Sequence, residues 1–221
     1  MKGLLTKDFR IILVQKKLLI LYFFVSVMLS YAMDSGFIVS YFPMIGLMLI
    51  ISTISYDNHD NGMGFLMTMP VRPGDYAVAK YIFAVIGLFL TWAFAVVLQF
   101  ISFFIQKTPF NGPEVFMDDF MILPVFFLII SIMIPVEFKF SSEKSKIVLF
   151  VLCGIVILIM IAGKGALGYI GSRFGIDFEA MAAGLDTISP ITVIFALYAV
   201  CVVVVSISMI CSIRIMQNKE F

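Results

Sequence analysis

Charge is what this chain is short of. Only 13% of its 221 residues are Asp, Glu, Lys or Arg, whereas 62% are hydrophobic. A soluble domain carries about 25% charged and about 45–50% apolar residues. With a mean hydropathy of +1.11, no fold in water could hide this much apolar surface, so the solvent is lipid. Histidine occurs once, as His59. No His-Glu-x-x-His pair of the kind a membrane metalloprotease needs is present. Asp57 and Asp60 flank His59 and could hold a metal with it, but a solvated or partner-facing imidazole is expected, and no metal site is assigned. The three cysteines, Cys153, Cys201 and Cys211, all fall inside apolar runs, which speaks against a disulfide framework and for small buried apolar residues. There is also no Gly-x-x-x-x-Gly-Lys-Ser/Thr sequence, so the chain does not cradle ATP phosphates by a P-loop.

What is present is a set of long apolar runs. A spanning helix needs roughly 20 mostly apolar residues. Six runs qualify, at about 18–33, 37–55, 80–105, 119–136, 147–163 and 191–213, within a single domain of residues 1–221. The runs are continuous rather than alternating, which predicts helices and not barrel strands. Twelve of the fifteen Lys and Arg fall on one side: Lys2, Lys7, Arg10, Lys16, Lys17, Arg72, Lys80, Lys139, Lys144, Lys146, Arg214 and Lys219. Lys107, Lys164 and Arg173 are left for the other. The asymmetry puts both termini in the cytoplasm and agrees with an even number of spans. Lys16-Lys17, the following apolar run and Ser30-Tyr31-Ala32 look like a signal peptide, but cleavage would remove five cytoplasmic cations and leave five spans, so retention is expected.

The segments between the spans carry further expectations. Residues 1–16 read as an amphipathic interfacial helix, with Leu5, Phe9, Ile12 and Leu13 at helical spacing and cations for anionic head groups. Pro43, Pro124 and Pro135 lie within spans and are tolerated there only if neighbours satisfy the freed carbonyls. Glycines from Gly163 to Gly175 break up the outer segment of about 164–190, and Asp177 could cap a short helix through Leu185. Ser189-Pro190 is a start signal for the last span. The span interiors hold no Asp, Glu, Lys, Arg or His, which disfavours an ion-coupled carrier. Gln99 and Trp92 are their main polar handles, and Glu137 is expected to snorkel at its span end.

The polar segment after the second span looks built to be gripped. Asp57 or Asp60 caps a short helix, and Met63, Leu66, Met67 and Met69 with Phe65 form an apolar, deformable surface. Pro70 ends this helix, Pro73-Gly74 turns the chain, and Asp75 caps the third span. The bland alternative is a helix resting on lipid. Two glycines make such a helix weak alone, which favours one stabilised by a partner.

Four groups of residues carry a resemblance. They are Met1-Lys2-Gly3-Leu4-Leu5-x-Lys7-Asp8, Tyr56-Asp57, Met69-Pro70-Val71-Arg72 with Lys80-Tyr81, and Ile134-Pro135 through Lys139-Phe140 with Glu143-Lys144. With the six-span layout they resemble an ABC-2 type permease, in particular the short permeases of phenol-soluble-modulin and lantibiotic-type peptide exporters. The resemblance implies an all-α membrane protein of the type V exporter kind, in a bacterial cytoplasmic membrane. It implies a coupling helix at about 57–69 that docks on a separate cytoplasmic ABC ATPase, which would bind ATP and Mg while this chain binds no cofactor. Its contact residues would be Asp57, Asp60, Met63, Phe65, Leu66, Met67, Met69 and Arg72, with Lys139 and Lys144 from a second loop. The chain would pair with itself or a related permease, and Tyr31, Tyr41, Trp92 and Gln99 are candidates for the path walls. The cargo would be an amphipathic peptide, with drugs or lipids as the alternative. No nucleic-acid partner is expected. An intramembrane enzyme would need paired Glu/His or Ser/His residues in spans, which are missing, and a non-transporting structural or immunity protein is the other class.

Overall fold

The computed structural model describes residues 2–32, 36–58, 62–69, 71–106, 112–140, 147, 151 and 189–219. Among them are seven helices: α1 (Lys2–Val14), α2 (Lys16–Ala32), α3 (Gly36–Asn58), α4 (Gly62–Met67), α5 (Pro73–Gln106), α6 (Gly112–Lys139) and α7 (Pro190–Gln217). Four of them, α3, α5, α6 and α7, are long and apolar enough to cross a membrane. They coincide with four of the six expected spans. The span expected at 18–33 falls on α2, which at 17 residues is only about 26 Å long. It makes a fifth crossing only when joined to α1 across a 63° bend. Gln15 closes α1 with a tight backbone bond to the Ile12 carbonyl, and α2 then starts its own ladder from the Gln15 carbonyl. The span expected at 147–163, the outer segment to residue 188, and Asp60, Pro70, Lys144 and Cys153 lie outside the described residues.

α3 is the centre of the bundle. Its apolar window is 56% buried, against 11% for α7, which is the least buried of the four long helices. α3 packs chiefly on α5 and α6, and α7 closes on α6 and α5. Small residues let α3 and α5 approach closely: a Cβ at Gly46 would fall 2.6 Å from the Thr91 side chain, and one at Gly87 would fall 3.0 Å from Ile50.

The prolines of α6 explain how α7 is held. A proline lacks the N–H that would bond the carbonyl four residues back. Pro124 therefore frees the Phe120 carbonyl, and Pro135 frees that of Ser131. Both freed carbonyls are bonded by hydroxyls of α7: Tyr198 donates to Phe120 at 3.1 Å, and Ser208 donates to Ser131. The Cys201 thiol adds a weak bond to the Pro124 carbonyl at 3.5 Å. Because Ser208 spends its proton on Ser131, it accepts from Tyr81 of α5 at 2.6 Å, and Tyr81 accepts in turn from Ser212 at 2.9 Å. Interhelical bonds of this kind contribute about 0.6–1.7 kcal/mol in a membrane. Ser208→Ala should lower stability towards the top of that range, because Ser131 and Tyr81 lose a partner together. Tyr198→Phe should cost less. Detergent-induced unfolding midpoints will rank the two.

α5 is the long helix, with 34 residues. At about 1.5 Å per residue it reaches about 51 Å, well beyond a hydrocarbon layer of about 30 Å. It begins at Pro73 rather than at Lys80, seven residues earlier than the apolar run suggests. Pro is favoured in the first turn because its missing N–H has no helical partner there. Asp75 lies within that first turn rather than before it. The seven added residues hold Tyr76 and run on helically into Lys80 one turn later, and so build the site described next. α7 starts at Pro190 with Ser189 before it, as expected, but the Ser189 hydroxyl bonds the Thr192 hydroxyl and not a backbone N–H.

Candidate functional site

Among the described residues, the end of the bundle that carries α4 gathers most of the buried charge. Asp57 lies in the last turn of α3 and does not cap α4. Its carboxylate turns inward and is 7% exposed. It accepts from Lys7 of α1 at 2.6 Å, from the Tyr76 hydroxyl at 2.8 Å, and pairs with Lys80 at 3.0 Å. Lys80 is not a loop cation. It is 1% exposed, and its three N–H bonds have three acceptors: Asp8 at 2.8 Å, Asp57 at 3.0 Å and the Thr53 hydroxyl at 3.0 Å. Asp8 closes the ring by facing Lys7 at 3.7 Å. The two lysines and two aspartates alternate, so the quartet is neutral as a whole. Both ammonium groups also lie near the Tyr76 ring, Lys7 at 5.7 Å and Lys80 at 5.4 Å from its centre.

This quartet changes the reading of α1. Leu4, Leu5, Asp8 and Ile12 turn towards the bundle, Phe9 packs edge-on against Phe83, and Leu13 stays 64% exposed. The face that docks therefore includes a carboxylate. Asp8 enters because Lys80 meets it there, and an isolated buried carboxylate would not be tolerated.

α4 has two faces. Met63 and Leu66 are buried in the core that also holds Leu4, Ile54, Tyr76 and Phe138, with Met67 packed beside them. Phe65 is 69% exposed and Met69 49% exposed. Of the apolar surface expected between Asp57 and Met69, only this second pair is largely exposed. Arg72 and Lys139 are also exposed, with Lys139 at 5.7 Å from the Phe140 ring. Glu137 does not snorkel. It is 1% exposed and accepts from the Ser55 hydroxyl at 2.6 Å, which fastens α6 to α3. Lys219, just past α7, donates to the Phe138 carbonyl at 3.0 Å. Burial pulls its ammonium below the usual value, while Glu137 pulls the other way.

The path candidates fare differently. Trp92 is 5% exposed and Gln99 3% exposed. Trp92 donates to the Asp119 carbonyl at 3.0 Å, and Gln99 to the Asp119 carboxylate at 3.3 Å. Both are therefore engaged in joining α5 to α6 inside one chain, as their polar groups need partners in lipid. Tyr41 is partly exposed and stacks on Phe37 with ring centres 5.8 Å apart. The Tyr31 side chain lies outside what the structure describes. Among the described residues no group of three or more His, Cys, Asp or Glu could hold a metal ion.

Sequence reasoning singled out Asp57 but missed its partners. Lys7, Asp8, Tyr76 and Lys80 lie up to 73 residues apart in a chain where charge is scarce. Two carboxylates and two ammonium groups beside apolar runs are the signal that could have paired them. Apolar helices long enough to cross a membrane, with charge gathered at one end, are the build of a multi-pass membrane protein. The family model described as "ABC-2 family transporter protein" matches residues 3–217. The chain belongs to that family, so it is the membrane component of an ABC transporter, and the family implies an ABC ATPase partner. No curated protein and no solved structure gives a significant match.

Proposed function

We propose that the chain is the permease subunit of an ATP-driven exporter in a bacterial cytoplasmic membrane. In this reading it has six spans and cytoplasmic termini, and it works as a dimer with itself or a related permease. ATP and Mg belong to a separate ATPase, which docks on α4. The observation that carries the reading is the division of α4. Met63 and Leu66 anchor it in the core, while Phe65, and Met69 two residues past the helix end, stand out on the polar end of the bundle. A bare aromatic beside a flexible thioether is the kind of surface that fills a partner's groove.

The cargo is an amphipathic peptide on this reading. The supporting feature is the wall chemistry: exposed Phe, Met and Tyr41, with the buried charges at the α4 end already paired. A small charged solute would need compensating charges along its way. Co-purification with candidate ABC ATPases, followed by ATP hydrolysis in vesicles, tests the reading. Peptide-stimulated turnover is expected. Stimulation by a drug or lipid alone would move the cargo class and keep the exporter, whereas failure to bind any ATPase would leave a non-transporting membrane protein. Orientation has its own test: an impermeant thiol reagent added outside cells should label Asp118→Cys and miss Thr68→Cys.

A further inference from the structure

The quartet closes the base of the segment that carries α4. Asp57 stands at the end of α3, five residues before α4 begins at Gly62. Tyr76 and Lys80 stand in the first two turns of α5. One carboxylate bonds both, at 2.8 Å and 3.0 Å, so the α4 segment leaves and re-enters the bundle through a single joint. The same joint holds α1, through Lys7 on Asp57 at 2.6 Å and Lys80 on Asp8 at 2.8 Å. Apolar residues of similar volume would hold these helices as firmly as a buried ion quartet does. What ion pairs add is a fixed register, since each lysine faces both aspartates and no helix of the joint can slide without parting a pair. A joint held in one register passes a displacement on instead of absorbing it.

We propose that Lys7, Asp8, Asp57 and Lys80 are positioning residues for coupling, which carry a displacement of α4 into α1 so that it is not absorbed in the connecting segments. The proposal rests on the reading of α4 as the ATPase contact. None of the four lies on the exposed face of α4, so they act through that helix and not on the partner.

The test uses the chain bound to its co-purifying ABC ATPase, with the three native cysteines replaced by Ala. Nitroxides at Leu13→Cys and Ile86→Cys, both exposed in the wild type, report the distance from α1 to α5. Trapping the ATPase with ADP and vanadate should shift that distance in the wild-type quartet. Asp8→Asn/Lys80→Met keeps the Lys7–Asp57 pair and a balanced charge, and is the variant to use where Lys80→Met alone does not fold. In it the shift should be lost while the ATPase stays bound. A wild-type shift in the double variant, or no shift in the wild type, overturns the proposal. So does loss of ATPase binding in the double variant, since the quartet would then shape the docking face instead of transmitting its motion. If no ABC ATPase binds the wild-type chain, the function reading falls first and takes the proposal with it.

Discussion

Lys80→Met should be the most destabilising single neutralisation within the quartet. The lysine is the shared cation of Asp8 and Asp57 and is almost fully buried. Its removal leaves two carboxylates and one lysine, with Asp8 keeping only Lys7 at 3.7 Å. Breaking a buried ion pair from one side costs about 3–5 kcal/mol, because an uncompensated charge stays behind. Replacing both members with neutral groups is often harmless. Asp8→Asn/Lys80→Met should therefore regain most of the loss, and the two substitutions should be strongly non-additive. Lys7→Met should cost less, about 1 kcal/mol, because Lys7 is 31% exposed and water shares in its pairing. Detergent-induced unfolding of the purified chain gives all four midpoints. Equal midpoints for Lys80→Met and the wild type would mean that the quartet contributes nothing to the fold.

The helices were legible wherever one run of apolar residues decided them. The span expected at 37–55 is α3 from Gly36 to Asn58, and that at 191–213 is α7 from Pro190 to Gln217. Continuous hydrophobicity is a local property, and lipid reads it locally. The start of α5 was not legible, because Pro73-Gly74 has the composition of a turn and Lys80 that of a loop end. Both readings fail for one reason. Asp57 and Asp8 lie 23 and 72 residues away, and they turn an exposed cation into a buried one. Periodicity carries no trace of such a pairing. The prolines of α6 make the same point. Sequence reasoning could require partners for the carbonyls freed by Pro124 and Pro135, but only the packing of α7 names Tyr198 and Ser208.

At the candidate site the residue types were readable and their directions were not. The stretch from Met63 to Met69 is apolar throughout, and nothing in its composition separates inside from outside. A six-residue helix has too few turns for a clear stripe. Its sidedness comes from the core beneath, where Leu4, Ile54 and Phe138 receive Met63 and Leu66. Trp92 and Gln99 read from the sequence as the main polar handles of their span. In lipid, though, a polar side chain first satisfies its own bundle, and both bond to Asp119.

Phe65→Asp should abolish ATPase association and leave the permease folded. Phe65 is the most exposed residue of α4 at 69%, so the folded chain loses little when the ring goes. In a partner's groove the ring would be the central aromatic anchor. Truncating such an anchor costs at least about 2 kcal/mol, roughly thirtyfold in affinity. A carboxylate in its place adds the penalty of an unpaired charge at the contact. Leu66→Asp, one residue on, should behave in the opposite order. Leu66 is 8% exposed in the core, so the charge falls inside the bundle and the chain fails to fold before docking is at issue. Met69→Asp should follow Phe65→Asp more weakly, because the thioether can be displaced without emptying the centre of the contact. Size-exclusion profiles of the purified variants separate folding from docking, and titration of the ATPase onto vesicles gives the affinities. If Phe65→Asp binds the ATPase as the wild type does, α4 is a helix resting on lipid, and the coupling surface must be sought elsewhere on the chain.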